Sequence, residues 1–188
     1  ALSSAAADVY KRQALAPKTS ASQTGQWYTA HDYRAHGEIV DFVVIMTYEW
    51  GYSAGPPMAV SPIGPVRQVL EYAKTEIPAN KIMMGQNLYG YDWTLPFVKG
   101  GAYARAISPQ TAISLARENH AFIEYDYTAQ APFFYYRDAS QKQHVVWFED
   151  ARSIQAKFDL LKELSLRGVS YWKLGWDFPQ NWLLLEDR

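Results

Sequence analysis

Val43-Val44-Ile45-Met46-Thr47-Tyr48-Glu49-Trp50 carries an apolar, β-branched run directly into a carboxylate between two aromatic rings. A strand buried on both faces must shed its charges, so Glu49 belongs where the strand ends and the chain emerges. In folds built of parallel strands, that carboxyl end is where ligands bind and chemistry is done. The arrangement returns at Ile82-Met83-Met84-Gly85-Gln86-Asn87-Leu88-Tyr89-Gly90-Tyr91-Asp92-Trp93, and again at Val169-Ser170-Tyr171-Trp172-Lys173-Leu174-Gly175-Trp176-Asp177. Three strand ends, each followed by Tyr or Trp and an acid, predict one site that grips a flat, hydroxylated ligand. Sugars fit that description best.

Working outward, Ala14 to Lys18 reads as a short strand stopped by Pro17, and Trp27 to Arg34 as a helical or irregular crossover. Ile39 to Tyr48 reads as one long buried strand. Ser61-Pro62 opens a helix with Val66, Val69, Leu70 and Ala73 on one face, ending before Pro78. Lys81 to Tyr89 is the next strand. Residues 95–147 break this rhythm. A helix capped at Ile107-Ser108-Pro109 is followed by alternating stretches at 122–126 and 133–137, a turn at Asp138-Ala139-Ser140, and a strand at 144–148. This predicts a small α+β insertion built on hairpins. Residues 150–166 show a helical stripe of Ile154, Phe158, Leu161 and Leu164, terminated by Gly168, before a last strand at 169–174.

Strands alternating with helices imply right-handed crossovers and a parallel sheet, hence an α/β fold. Four such strands are half of an eight-stranded barrel, and half a barrel leaves two sheet edges open. Residues 14–188 are therefore read as the second half of a (β/α)8 TIM barrel with an α+β insertion between its last two strands. The N-terminal half of that barrel becomes an expected partner. Residues 1–13 read as a non-native or disordered leader. They lack the charged start and long apolar core of a secretory signal, and 8–13 show neither strand alternation nor a helical stripe.

The totals narrow the partners. With 18 basic and 19 acidic residues the charge is balanced, which argues against a nucleic-acid partner. No apolar run reaches the roughly 18 residues needed to span a bilayer, so no membrane partner is expected. Cysteine is absent, which excludes disulfides and thiolate metal sites. His31 and His36, five apart, fall on different faces of any helix and lack a partner at metal spacing. No cofactor and no metal are expected. Aromatic residues make up 15% of the chain, enough to ask which rings are exposed to stack on a ligand.

These strand ends resemble glycoside hydrolase family 18, most closely its branch of spore cortex-lytic peptidoglycan N-acetylglucosaminidases. Met46-Thr47-Tyr48-Glu49 is similar to that family's sixth-strand Met-x-Tyr-Asp motif, with Glu for the usual Asp. Met84-Gly85-Gln86-Asn87-Leu88-Tyr89-Gly90 resembles the seventh-strand motif, and Ser170 to Asp177 the eighth, where a Trp floors the sugar site. The resemblance implies a glycosidase acting on β-1,4-linked N-acetylglucosamine in cortex peptidoglycan or chitin. It also implies retention through the substrate's own acetamido group, and a location outside the cell or in the envelope, at the spore coat or cortex.

It implies residue roles as well. Tyr48 bonds the acetamido group as the oxazolinium ring forms, and Glu49 orients that group or joins the acid's hydrogen-bond relay. Trp172 floors the sugar. Asn87, Tyr89 and Asp92 bind it, Trp93 stacks on the next glycan residue, and Trp50, Tyr52 and Trp176 extend the aromatic cleft. The family's Asp-x-x-Asp-x-Asp-x-Glu run, whose last Glu is the general acid, does not occur among the 19 acids here. In family order that strand would precede Ala14, so the chain by itself is expected to be inactive. Two rival readings stay open: a non-catalytic, chitinase-like glycan-binding module, and a truncated reading frame without independent function.

Overall fold

A computed structural model of the chain describes residues 11–186. Most of the expected leader, 1–13, lies outside the described residues, but Arg12 and Gln13 do not. They open the first strand, β1 (Arg12–Leu15), two positions before its expected start at Ala14. α1 (Tyr33–Ile39) follows, its first turn capped by the Asp32 side chain accepting from Ala35 N at 3.0 Å. β2 (Phe42–Ile45) comes next, then α2 (Ile63–Glu76), β3 (Ile82–Asn87) and β4 (Gly90–Thr94). The remaining elements are β5 (Arg105–Ile107), α3 (Pro109–Glu118), β6 (Glu124–Asp126), β7 (Ala131–Arg137), β8 (Gln143–Trp147), α4 (Ala151–Glu163), β9 (Gly168–Trp172) and α5 (Pro179–Glu186).

By its contacts the chain divides into two compact units. Of the described residues, the first comprises 11–47, 66–86 and 160–170 and carries most of a sheet ordered β1-β2-β3-β9, in which β1–β2 and β2–β3 are parallel. Val43, Ile45, Ile82 and Met84 are buried, alternate positions that share one face of each strand, while Phe42, Val44 and Met83 between them are only partly covered. β2 is shorter than the expected 39–48. Ile39 ends α1 instead, and the backbone beyond Ile45 leaves the ladder with Thr47 giving its hydroxyl to Gly85 O at 2.7 Å. α2 buries the four residues its periodicity marked, Val66, Val69, Leu70 and Ala73. Arg67 on its outer face makes a bidentate pair with Glu163, one arm at 2.7 Å. Exposed pairs of this kind contribute little, on the order of 0–1 kcal/mol.

The second unit, 48–65, 87–159 and 171–186, contains an antiparallel sheet ordered β5-β4-β8-β7-β6. This sheet starts at Gly90, not near residue 95, so the segment read as the end of the seventh strand is a separate strand, β4. The register Tyr91↔Trp147↔Phe133 puts these three rings on one face, with Phe133 stacked on Trp147 at 4.6 Å. The other face carries Phe134 and Val146, which pack with Phe148, Ile107, Ala112 and Ala116 under α3. Ser108 caps α3, accepting from Thr111 N at 3.0 Å, with Pro109 in its first turn. Gly90 is where β4 runs tightly against β8: a Cβ there would lie 2.3 Å from Trp147 O. Gly90→Ala should therefore destabilise by about 1–3 kcal/mol, read as a lowered denaturant midpoint, because backbone must move to admit the methyl.

Two expectations about α4 change. Its buried stripe comprises Ile154, Phe158 and Leu160, joined by Ser153 and Lys157, while Leu161 is only partly covered. Its stop is Ser165, in the left-handed region at φ 53°, and not Gly168, which opens β9. Leu166 N then returns to Leu161 O at 3.1 Å, satisfying a carbonyl of the last turn.

Candidate active site

Glu49 follows the carboxyl end of β2 and adopts φ 70°, a region costly for a side chain with a Cβ. Such strain, of order 1–3 kcal/mol, persists where surrounding bonds over-determine it and is concentrated at functional positions. Here the bonds come from two phenols. Tyr89 OH and Tyr91 OH both donate to Glu49 Oε1, the latter at 3.0 Å. Tyr89 and Tyr91 sit either side of Gly90, so an extended backbone sends both rings to one side. They meet edge to face at 5.4 Å.

Tyr48, Glu49, Tyr89, Tyr91, Ala106, Trp172, Lys173 and Trp176 line an open pocket of about 350 Å³. Trp172, the last residue of β9, is 55% exposed although it is among the largest apolar side chains of the chain. Leu88 N donates to its carbonyl at 2.9 Å, which anchors the backbone while the indole stays open. Its peptide bond to Lys173 is cis. Burial, then hydrogen bonding to Glu49, moves the Tyr89 phenol well above the ordinary tyrosine range. Burial and the Glu49 charge do the same to Tyr91, and more weakly to Tyr48. All three stay protonated at neutral pH and are fixed O–H groups around one carboxylate. Such a wall can orient an amide or hydroxyl and can donate to developing negative charge.

Of the residues singled out from sequence, the pocket unites Tyr48, Glu49, Tyr89 and Trp172, with Trp176 beside them. Five others are placed differently. Trp93 is 2% exposed and gives its indole N–H to Gly55 O at 2.8 Å, so it fills the core under the sheet and cannot stack on a glycan. Asp92, on the opposite side of β4, is buried and already engaged by Tyr136 OH at 2.8 Å, His144 Nδ1 at 2.9 Å and Arg105 at 3.4 Å. Its oxygens serve the sheet, not a sugar. Asn87 is buried with its Nδ2 donating to Tyr89 O at 2.8 Å, behind the pocket wall. Trp50 N donates to Val60 O at 3.0 Å in the loop, and Tyr52 is exposed with Gly55 close to its ring. Neither lines the pocket.

Tyr91 and Lys173 escaped the sequence reading. Tyr91 had a signal, its alternation with Tyr89 about Gly90, hidden by treating the segment as a strand end instead of a new strand. Lys173 had none beyond standing next to Trp172. His31 accepts from Ala16 N through Nδ1 at 2.6 Å, a structural role. Among the described residues no three His, Cys, Asp or Glu side chains are grouped to hold a metal, and no helix is long and apolar enough to cross a membrane.

Comparison with known proteins identifies the family. The sequence profile of glycosyl hydrolases family 18 matches residues 5–177. The cortical fragment-lytic enzyme of Bacillus subtilis is 76% identical over 175 residues, covering 93% of this chain and 41% of that protein. The crystal structure of the spore cortex-lytic enzyme SleL of Bacillus cereus superposes with a TM-score of 0.94 at 58% identity, over 96% of this chain and 42% of that one. A chitinase from Chromobacterium violaceum superposes at 0.87 with 26% identity, over 96% of this chain and 56% of that one. The chain thus spans about two fifths of the length of the cortical fragment-lytic enzymes it matches. On this match across nearly its whole length, the chain belongs to glycosyl hydrolases family 18.

Proposed function

We propose that residues 14–188 are the second half of a (β/α)8 glycosidase domain that hydrolyses β-1,4-linked N-acetylglucosamine in spore cortex peptidoglycan, with retention of configuration. The observation that carries this reading is the Glu49 carboxylate, held by two buried phenols in a pocket that also presents an exposed indole. A sugar ring lies on Trp172, its axial C–H groups against the indole face. Its 2-acetamido group is turned toward Tyr48 and Glu49. The acetamido oxygen attacks C1 as the glycosidic bond breaks, and the leaving oxygen takes a proton from a general acid. Water then opens the oxazolinium ion. Tyr48 and Glu49 hold the acetamido group through the step. The acid is supplied by a segment that carries the Asp-x-x-Asp-x-Asp-x-Glu run.

Peptidoglycan is preferred to chitin because the cortical fragment-lytic relatives share 61–76% identity with this chain, against 26% for the chitinase. The same relatives support action at the spore cortex, outside the cell. The deciding experiment assays the 188-residue chain, and a protein extended to include the missing strands, on muramic-lactam peptidoglycan and on chitin oligosaccharides. Turnover by the extended protein alone supports the reading. Turnover by the short chain would overturn the assignment of the acid, and saccharide binding without turnover in both would favour a glycan-binding module. Trp172→Ala should weaken saccharide binding about tenfold, followed by tryptophan fluorescence titration, since ring stacking contributes on the order of 1 kcal/mol beyond area. Melting should be unchanged, because the ring is exposed.

A further inference from the structure

Behind the pocket wall lies a buried ion pair that the reaction above does not use. Lys157, on the inward face of α4, and Glu149, just before that helix, are each 1% exposed, with Nζ at 3.4 Å from both carboxylate oxygens. At that distance the charges attract, but the hydrogen bonds are weak. The Ser153 and Asn87 side chains face the Glu149 carboxylate and favour its charged form. Asn87 Nδ2 also donates to Tyr89 O at 2.8 Å. An amide nitrogen has two hydrogens, so it can satisfy both acceptors at once. A continuous path therefore runs from Lys157 through Glu149 and Asn87 to the Tyr89 backbone, and from the Tyr89 hydroxyl to Glu49.

We propose that the Glu149–Lys157 pair is a positioning element that, through Asn87, fixes Tyr89 and thereby the orientation of the Glu49 carboxylate. A buried carboxylate facing Asn87 is the physical reason the amide presents its nitrogen, and not its oxygen, to the wall of the pocket. With an apolar side chain at 149 the amide loses one anchor, and the Tyr89 segment loses the bond that sets its height above Glu49. Displacements below an ångström at a reacting group cost about 10- to 100-fold in rate. The consequence for turnover rests on the glycosidase reading; the geometric link does not.

The test reads Glu49 directly. The 188-residue chain is labelled with 13C at the Glu side-chain carboxyl, and the Glu49 resonance is assigned by its loss in Glu49→Gln. Tyr89→Phe gives the position of that resonance without the Tyr89 bond. Removing Glu149 alone leaves a buried cation and risks unfolding, so Glu149→Leu/Lys157→Met removes both charges together with the acceptor that Asn87 faces. The expected result is a Glu49 resonance moved toward its Tyr89→Phe position in the double variant. In a Tyr89→Phe background the double variant should produce no further movement, because the path is already cut. Glu149→Asp, which keeps the charge, should restore part of the wild-type position. A folded double variant with an unmoved Glu49 resonance would overturn the proposal, as would equal shifts with and without the Tyr89 hydroxyl. In the extended protein, the double variant should lower kcat about 10- to 100-fold with KM within about twofold. If the wild-type extended protein shows no turnover, the glycosidase reading fails while the resonance still decides the positioning claim.

Discussion

On the proposed mechanism, Tyr48→Phe made in a protein that carries the whole barrel should lower kcat on cortex peptidoglycan by about 10²–10³-fold. KM should hardly change. The magnitude is that of losing one preorganised donor from a site where charge develops, about 2.7–4 kcal/mol. Its cause is local: burial and the neighbouring Glu49 charge keep the Tyr48 phenol protonated, so its O–H is available throughout the working pH range. The substituted ring keeps the same packing against Tyr89, Tyr91 and Trp93, so the melting temperature should stay within a degree or two. An interaction made mainly in the transition state lowers kcat and kcat/KM together and leaves binding alone. Steady-state kinetics on soluble cortex fragments separate the cases. A rise in KM at constant kcat would show Tyr48 to be a binding residue, and an unchanged rate would remove it from the mechanism.

Lys157→Ala is expected to cost about 3–5 kcal/mol of stability. The substitution leaves the Glu149 carboxylate buried without its cation, and uncompensated buried charge is what makes broken ion pairs costly. Burial already pushes the Glu149 carboxyl above the usual carboxylate range, opposed chiefly by Lys157. Removing Lys157 strengthens that upward displacement, so the folded variant holds its proton to higher pH than the unfolded chain does. Above the folded value the variant bears the full penalty, because its folded state must keep an uncompensated buried charge. Between the folded and the unfolded values the penalty shrinks as pH falls, since the folded state takes up its proton before the unfolded chain does, and it vanishes below the unfolded value. Urea denaturation at pH 8 and pH 5 tests this: the gap between variant and wild type should narrow at pH 5. A gap that widens on acidification would contradict the sign. Glu149→Leu/Lys157→Met, with both charges gone, should lie much nearer wild type.

The two effects have different visibility in the amino-acid sequence, and the reason is chemical. Periodicity reports burial of apolar residues, so α2 was legible down to its four buried positions, and β2 and β3 as runs that end in acids or amides. The stretch Tyr48-Glu49 and the exposed Trp172 were legible because a charge or an indole at a strand end has few structural uses. Lys157 was not, since a lysine on an amphipathic helix belongs by default to the solvated face. Only its meeting with Glu149 inside the second unit makes burial tolerable.

β4 shows the same limit from another side. Tyr89-Gly90-Tyr91-Asp92-Trp93 offers an acid and three rings, all plausible sugar ligands by composition. Strand alternation divides them. Tyr89 and Tyr91 reach the Glu49 carboxylate, while Asp92 turns to Tyr136 and His144 on the other face of the sheet. Trp93 shares the side of Tyr91, yet it is covered by the 51–60 loop, whose Gly55 carbonyl accepts its indole hydrogen. The amino-acid sequence alone determined the alternating strands and helices, the family, and the carboxylate and aromatic types gathered at the strand ends, because these follow from local pattern and motif. Which of those side chains share one pocket, and which are spent on the sheet, was decided by tertiary structure. It depends on the register of β4 against β8 and on partners forty residues away, as in Tyr89 to Glu49.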